Sequence, residues 1–135
     1  MFSGAKKILV VDDEKELTAI MSQALSSWGR MSIVQADSVD KALEILRQQH
    51  IDLVLTDIKM KDKSGYDLLN EIRVTDKKLP FIMISGQTNI YDDNRCSPEV
   101  FKSIYAFLEK PLKLAHLKAT ISKALADSQN QPKSK

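Results

Sequence analysis

The sequence predicts an α/β fold, a doubly wound five-stranded parallel sheet with helices on both faces. Three observations predict it. Short apolar runs rich in β-branched residues alternate with amphipathic stretches, and the pair of patterns repeats five times. The apolar runs are continuous rather than alternating, as in strands covered on both faces. Several of them stop abruptly at an acid, a hydroxyl or an amine, as in open α/β sheets that bind ligands beyond the carboxyl ends of their strands. A strand–helix–strand crossover is almost always right-handed, so a succession of them winds a parallel sheet.

The first strand is "KILVV" (7–11). Leu17, Ile20, Met21, Ala24, Leu25 and Trp28 then share one helical face, and Gly29 suits a helix stop. "MSIVQ" (31–35) is a second, weaker strand. Ser38 is placed to cap a helix whose apolar face is Val39, Ala42, Leu43 and Leu46. "IDLVLTD" (51–57) is the third strand. A polar loop, "IKMKDKSG", leads to a short helix around Tyr66, Leu69 and Ile72. Pro80 opens the fourth strand, "FIMIS" (81–85). The polar stretch "GQTNIYDDNRCSPEV" predicts a loop and then a helix carrying Val100, Phe101 and Ile104. "YAFLE" (105–109) is the fifth strand, followed by Lys110-Pro111. The last helix uses Leu114, Leu117, Ile121, Ala124 and Leu125. One domain over 1–126 is expected. The polar stretch 127–135 has no apolar anchor and reads as a tail or the start of a linker.

Bulk properties exclude several classes. A chain of 135 residues suits one core. The hydrophobic fraction of 43% and charged fraction of 28% are those of an ordinary globular protein. Twenty Lys and Arg against 18 Asp and Glu leave +2, too little to argue for nucleic acid or an anionic membrane. No apolar run approaches the roughly 20 residues of a membrane span. The opening "MFSGAKK" lacks the apolar core of a signal peptide. A single cysteine, Cys96, cannot form an internal disulfide, which fits a reducing cytoplasm.

The strand ends carry the chemistry. The first strand ends in Asp12-Asp13, the third in Asp57, the fourth in Ser85, and the fifth at Lys110. Two doubly wound strand orders are common, 3-2-1-4-5 and 2-1-3-4-5. In the second, strands one and three are neighbours about 4.8 Å apart, and three carboxylates converge on one rim. Each residue alone has an ordinary reading. Asp12 or Asp13 can cap the first helix, Asp57 can start a turn, and Ser85 and Lys110 can be plain loop residues. Their joint delivery to one edge favours a site. Clustered carboxylates call for a cation, and oxygen-only ligation suits Mg²⁺. A lysine ammonium and a serine hydroxyl suit phosphate oxygens. A carboxylate among them can attack phosphorus and become an aspartyl phosphate. Repulsion within the cluster predicts that, without metal, Asp13→Ala or low pH raises stability.

"ILVVDDE", "DLVLTDIKM" with its following Ser-Gly, "FIMIS" and "FLEKP" together resemble the receiver domain of two-component response regulators. The resemblance runs from about Lys7 to about Ala126. It implies the order 2-1-3-4-5, a flavodoxin/CheY-like fold. It implies that Asp57 takes a phosphoryl group from a histidine kinase or phosphotransfer protein. Asp13 and Asp57 would hold Mg²⁺ through their carboxylates, Asp12 through water, and Lys59 through its backbone carbonyl. Lys110 would contact the phosphoryl group, and Ser85 would turn to bond it. Phe107 stands at the family's aromatic switch position. Switching would act on the surface of the fourth helix, fifth strand and fifth helix, for a downstream protein that the sequence does not name. Pro111 is expected to follow a cis peptide. The domain itself is expected to touch neither nucleic acid nor membrane and to work in the cytoplasm, catalysing only its own phosphorylation and dephosphorylation.

Some positions depart from the family pattern. Lys61 stands where relatives often have Pro, which should leave the loop after Asp57 freer. Ser103-Ile104 replaces the usual Gly-Ala before the fifth strand. Lys110 follows Ser85 by 25 positions (110 − 85), longer than expected, which obscures the fourth helix. Phe107 has no hydroxyl, so a switch there works by packing. Lys59 and Gln87 occupy positions that influence phosphoryl lifetime in relatives.

His50 and His116 stand alone, without a metal or catalytic pattern, and read as surface residues. Cys96 reads as incidental, Trp28 as packing, and Lys133 and Lys135 as a solvated tail. Three other functions were weighed. A small Mg²⁺-dependent phosphohydrolase would place its two acids two apart, whereas Asp12 and Asp13 are adjacent. A receiver-like interaction module that takes no phosphate would lack one of the acids, the hydroxyl or the lysine. A flavin-binding domain would want Ser, Thr or Gly after the first strand.

Overall fold

The structure is a computed structural model that describes residues 6–25, 28, 31–61, 63–86 and 96–130. Five strands and five helices alternate: β1 (Lys6–Val11), α1 (Glu16–Leu25), β2 (Met31–Ala36), α2 (Val39–Gln48), β3 (Leu53–Asp57), α3 (Gly65–Thr75), β4 (Phe81–Ser85), α4 (Pro98–Lys102), β5 (Ala106–Glu109) and α5 (Leu114–Asn130). The sheet is parallel, in the order β2-β1-β3-β4-β5. This is the expected doubly wound α/β fold, and it resolves the choice between the two strand orders.

The continuous apolar runs divide their side chains between two cores. Leu9 and Val11 of β1 point to one face with Val54, Phe81 and Met83, under α2 and α3. Ile8 and Val10 point to the other with Leu53, Leu55, Ile82 and Ile84, under α1 and α5. Burial of both strand faces is the reason these runs show no polar alternation. β3 and β4 are buried at every position.

Register decides what meets at the carboxyl rim. Val11 pairs with Thr56, so Asp12 and Asp57 follow on adjacent strands at the same level. Asp57 pairs with Ile84, which puts Ser85 one residue further out on β4. Ser85 pairs with Glu109, the residue before Lys110.

Local signals fix the helix starts. The Ser38 hydroxyl accepts from Lys41 N at 3.1 Å. Ser64 and Asp67 form a reciprocal capping box at α3. Ser97 caps α4, with Pro98 in its first turn.

Three segments differ from expectation. Trp28 lies beyond the end of α1; it is half-buried against the second core, with Lys118 Nζ 5.4 Å from its ring centre. The expected helix stop at Gly29 falls outside the described residues. α4 is only five residues long, and Ile104 follows it in the lead into β5, still packed on the first core. The expected domain end at 126 falls inside α5, which runs to Asn130. Tyr105 Oη donates to Asp127 Oδ2 at 2.6 Å and ties that last part of the helix to the start of β5.

Candidate functional site

The rim is built from the ends of β3 and β4 and the exits of β1 and β5. Asp12 is 3% exposed, and both its carboxylate oxygens are engaged by backbone. Oδ1 accepts from Glu14 N at 3.0 Å and Oδ2 from Leu17 N at 2.7 Å. Asp12 therefore satisfies one N–H that the start of α1 would leave orphaned, that of Leu17, and one in the turn before it. The turn that permits this passes through Lys15, whose φ of 65° lies in the left-handed region. Glu14 is exposed.

Asp13 is half-buried, and its Oδ2 accepts from Lys61 N at 2.9 Å. The bond joins the β1 exit to the loop after β3. That loop is closed at its base, where Gly65 N donates to Ile58 O at 2.8 Å. Lys63 Nζ also reaches Asp40 Oδ1 on α2 at 3.0 Å. Lys61 stands where relatives often have proline, and here its N–H is the one that meets Asp13.

Asp57 is 5% exposed and ends β3. Burial raises its carboxyl above the ordinary 3.8; the hydrogen bond and charge of Lys110 oppose the rise, and the charges of Asp12 and Asp13 add to it. Lys110 Nζ lies 3.1 Å from Asp57 Oδ2. The backbone around Asp57 is fixed. Thr56 Oγ1 donates to Asp57 O at 2.9 Å, and Ile58 N donates to Ile84 O at 2.9 Å. A Cβ on Gly65 would sit 2.8 Å from Asp57 O, so only glycine lets α3 start this close to the strand end.

Ser85 is buried, and its carbonyl accepts from Lys110 N at 2.9 Å. Hydroxyl and amine are thus carried on adjoining backbone, beside a cis Lys110–Pro111 peptide. Lys59 is exposed. Phe107 is half-buried, its ring centre 5.4 Å from that of Phe101 on α4, and Phe101 stacks on Tyr66 of α3 at 6.2 Å. Gln87 lies outside the described residues.

The structure brings Asp57 and Lys110 into contact, sets Asp12 and Asp13 within electrostatic reach, and joins Ser85 to Lys110 through backbone. Among the described residues no group of three or more His, Cys, Asp and Glu side chains is arranged to hold a metal ion. Asp12 gives one lone pair of each oxygen to backbone N–H groups, and Asp13 and Asp57 stand beside it at the rim. Asp57 is disfavoured as an anion where it stands, and a cation there would relieve it. Two carboxylates and a carbonyl are an all-oxygen set that fits Mg²⁺, an ion that usually keeps several waters. The sequence reading did not anticipate Gly65 or Thr56 as supports of Asp57. The "SGYD" capping pattern at 64–67 was the available signal for the first. His50 reaches Asp52 Oδ1 at 2.8 Å and lies at the amino end of β3, away from the rim.

The carboxyl rim of the doubly wound sheet thus holds a buried acid and a lysine in contact, with a second acid and a hydroxyl close by. The response regulator receiver domain model matches residues 8–122, and the chain belongs to that family of two-component signalling proteins. It is 35% identical over 126 residues to the Vibrio cholerae protein named "Probable cyclic di-GMP phosphodiesterase", covering 92% of this chain and 27% of that one. It is 34% identical over 120 residues to the transcriptional regulatory protein ZraR of Escherichia coli K12, covering 88% and 26%. The chain spans about a quarter of the length of these relatives. Among solved structures, the response regulator TrrA of Thermotoga maritima in complex with Mg(2+)-BeF superposes with a TM-score of 0.75 at 27% identity, covering 88% of this chain and 98% of that one. Among the described residues no helix is long and apolar enough to cross a membrane.

Proposed function

We propose that Asp57 is the phosphoacceptor of this receiver domain, taking its phosphoryl group from a phosphohistidine on a histidine kinase or phosphotransfer protein in the cytoplasm. The observation that carries the proposal is the buried Asp57 carboxylate with Lys110 Nζ at 3.1 Å. A carboxylate that burial pushes towards its neutral form is poorly solvated and ready to trade its charge for a bond. One Asp57 oxygen attacks phosphorus as the phosphorus–nitrogen bond of the donor breaks. The electron pair leaves with the imidazole, which takes up a proton. Asp13 and Asp57, with the Lys59 carbonyl, would hold Mg²⁺. Bound there, the ion supplies charge neutralisation for the phosphoryl oxygens. Asp12, whose two backbone bonds leave a lone pair on each oxygen, would meet the ion through water.

Lys110 starts as the partner of Asp57 and transfers to a phosphoryl oxygen as the acid is esterified. Ser85 donates its hydroxyl to another. Because Ser85 and Lys110 share a backbone hydrogen bond, their movement is felt at β5, where Phe107 packs on Phe101. The switch is therefore aromatic packing between β5 and α4, without a hydroxyl. The face it alters includes an open groove lined by Phe107, Glu109, Pro111, Leu112, Lys113 and His116. The groove suits a downstream protein; the domain itself catalyses nothing beyond its own phosphorylation and dephosphorylation. The test is incubation with acetyl phosphate and Mg²⁺, comparing wild type with Asp57→Asn by intact-protein mass. Phosphate on the wild type alone is expected. Equal phosphate on both would overturn the proposal.

A further inference from the structure

The Lys61 backbone N–H is placed as no proline could place it. It donates to Asp13 Oδ2 at 2.9 Å, across 48 positions of sequence. Lys61 follows Lys59 by two residues, on the segment that leaves β3 at Asp57. One hydrogen bond thus joins the carboxylate at the end of β1 to the loop that carries the Lys59 carbonyl. The loop is closed behind it by Gly65 N on Ile58 O at 2.8 Å, so its ends cannot drift apart. A carboxylate has about four lone-pair sites, and the Lys61 bond uses one, on Oδ2. Among the described residues Oδ1 makes no hydrogen bond. Ligating carboxylates are usually oriented by hydrogen bonds of this kind, and loss of such a bond typically costs about 10- to 100-fold in metal affinity.

We infer that the Lys61 amide is a positioning group for the divalent cation: it aims Asp13 and holds the Lys59 carbonyl beside it before the metal arrives. The inference rests on the proposed Mg²⁺ site of Asp13 and Asp57. It reverses the expectation that a residue other than Pro at 61 loosens the loop. A proline here has no N–H to give. The lysine side chain plays no part, since the backbone makes the bond.

The test is calorimetric titration of metal-free protein with Mg²⁺ for wild type, Lys61→Ala and Lys61→Pro. Lys61→Ala keeps the N–H and should bind like wild type. Lys61→Pro should bind about 10- to 100-fold more weakly, while its thermal unfolding in metal-free buffer stays close to that of Lys61→Ala. The Lys61 amide in a nitrogen–proton NMR spectrum gives a second readout that needs no variant. It should be slow to exchange without metal and remain so when Mg²⁺ is added. Equal Mg²⁺ affinity for all three proteins would overturn the inference. So would tighter binding by Lys61→Pro with the Lys61 amide released on metal addition, which would make the bond a competitor of the metal. Failure of the wild type to bind Mg²⁺ would instead sink the metal site itself.

Discussion

The ends of β1 and β3 each present an aspartate at the same level of the sheet, buried to nearly the same depth, 3% exposed for Asp12 and 5% for Asp57. Their partners differ. Asp12 spends its two oxygens on the N–H groups of Glu14 and Leu17, which belong to the fold and cannot leave. Asp57 faces the Lys110 ammonium, at the end of a flexible stem that can move to a new oxygen. The two acids share depth and residue type and differ in what they bond, backbone in one case and a side-chain ammonium in the other.

The comparison can be broken most forcefully from the lysine side. Lys110→Ala removes the ammonium in contact with Asp57, and phosphoryl transfer from acetyl phosphate should slow by about 10²- to 10³-fold, as for loss of a group that stabilises transferring charge. Rapid-quench measurement of the phosphorylated fraction checks this; a change under threefold would place the amine outside the reaction. Asp12→Ala should act on stability instead. It strands the buried Leu17 N–H at the start of α1 and should cost about 2 kcal/mol in urea unfolding. A loss as small as that of an exposed substitution would mean that Asp12 is not a cap.

The pH dependence of stability sharpens the contrast at smaller amplitude. Burial holds the Asp57 carboxyl above 3.8, so the native state keeps a proton that the unfolded chain releases. In metal-free buffer the stability belonging to this group is greatest at low pH and falls as pH climbs from 3.8 through the raised native value. Asp57→Asn should remove that fall and leave the protein more stable than wild type at neutral pH, as read by urea unfolding across a pH series. A destabilised Asp57→Asn would mean that the Lys110 contact outweighs the burial.

The smallest effect comes from an acid away from the rim. Asp127 accepts from Tyr105 Oη at 2.6 Å, and that bond, with lesser help from burial and charge, raises the phenol from 10.0 to about 12. Its contribution to stability is complete below pH 10 and disappears as pH rises through about 12. Ultraviolet titration should show one tyrosine ionising late, returning towards 10.0 in Asp127→Asn. Unchanged titration in the variant would detach α5 beyond 126 from β5.

Much of the fold was legible because both faces of the strands are covered. β4 matches "FIMIS" residue for residue, and the strand ends announce Asp12, Asp13, Asp57, Ser85 and Lys110. Periodicity could not find the end of α1, because Trp28 meets the core from outside the helix. Nor could it size α4, which has five residues, none of them fully buried, with Val100 and Phe101 packed on the first core. The division of labour between Asp12 and Asp13 was hidden for another reason. It depends on which backbone N–H groups the loops bring to each carboxylate, and side-chain patterns do not record that.

The contrast between the two buried acids comes to a single chemical mark. An aspartyl phosphate is an acyl phosphate, and borohydride reduces it to homoserine, a stable change of mass at the modified residue. Wild-type protein treated with acetyl phosphate and Mg²⁺, reduced and digested, should carry homoserine at position 57 and nowhere else. Homoserine at position 12 or 13 would contradict the account, as would its absence from position 57 in protein that has demonstrably gained a phosphoryl group.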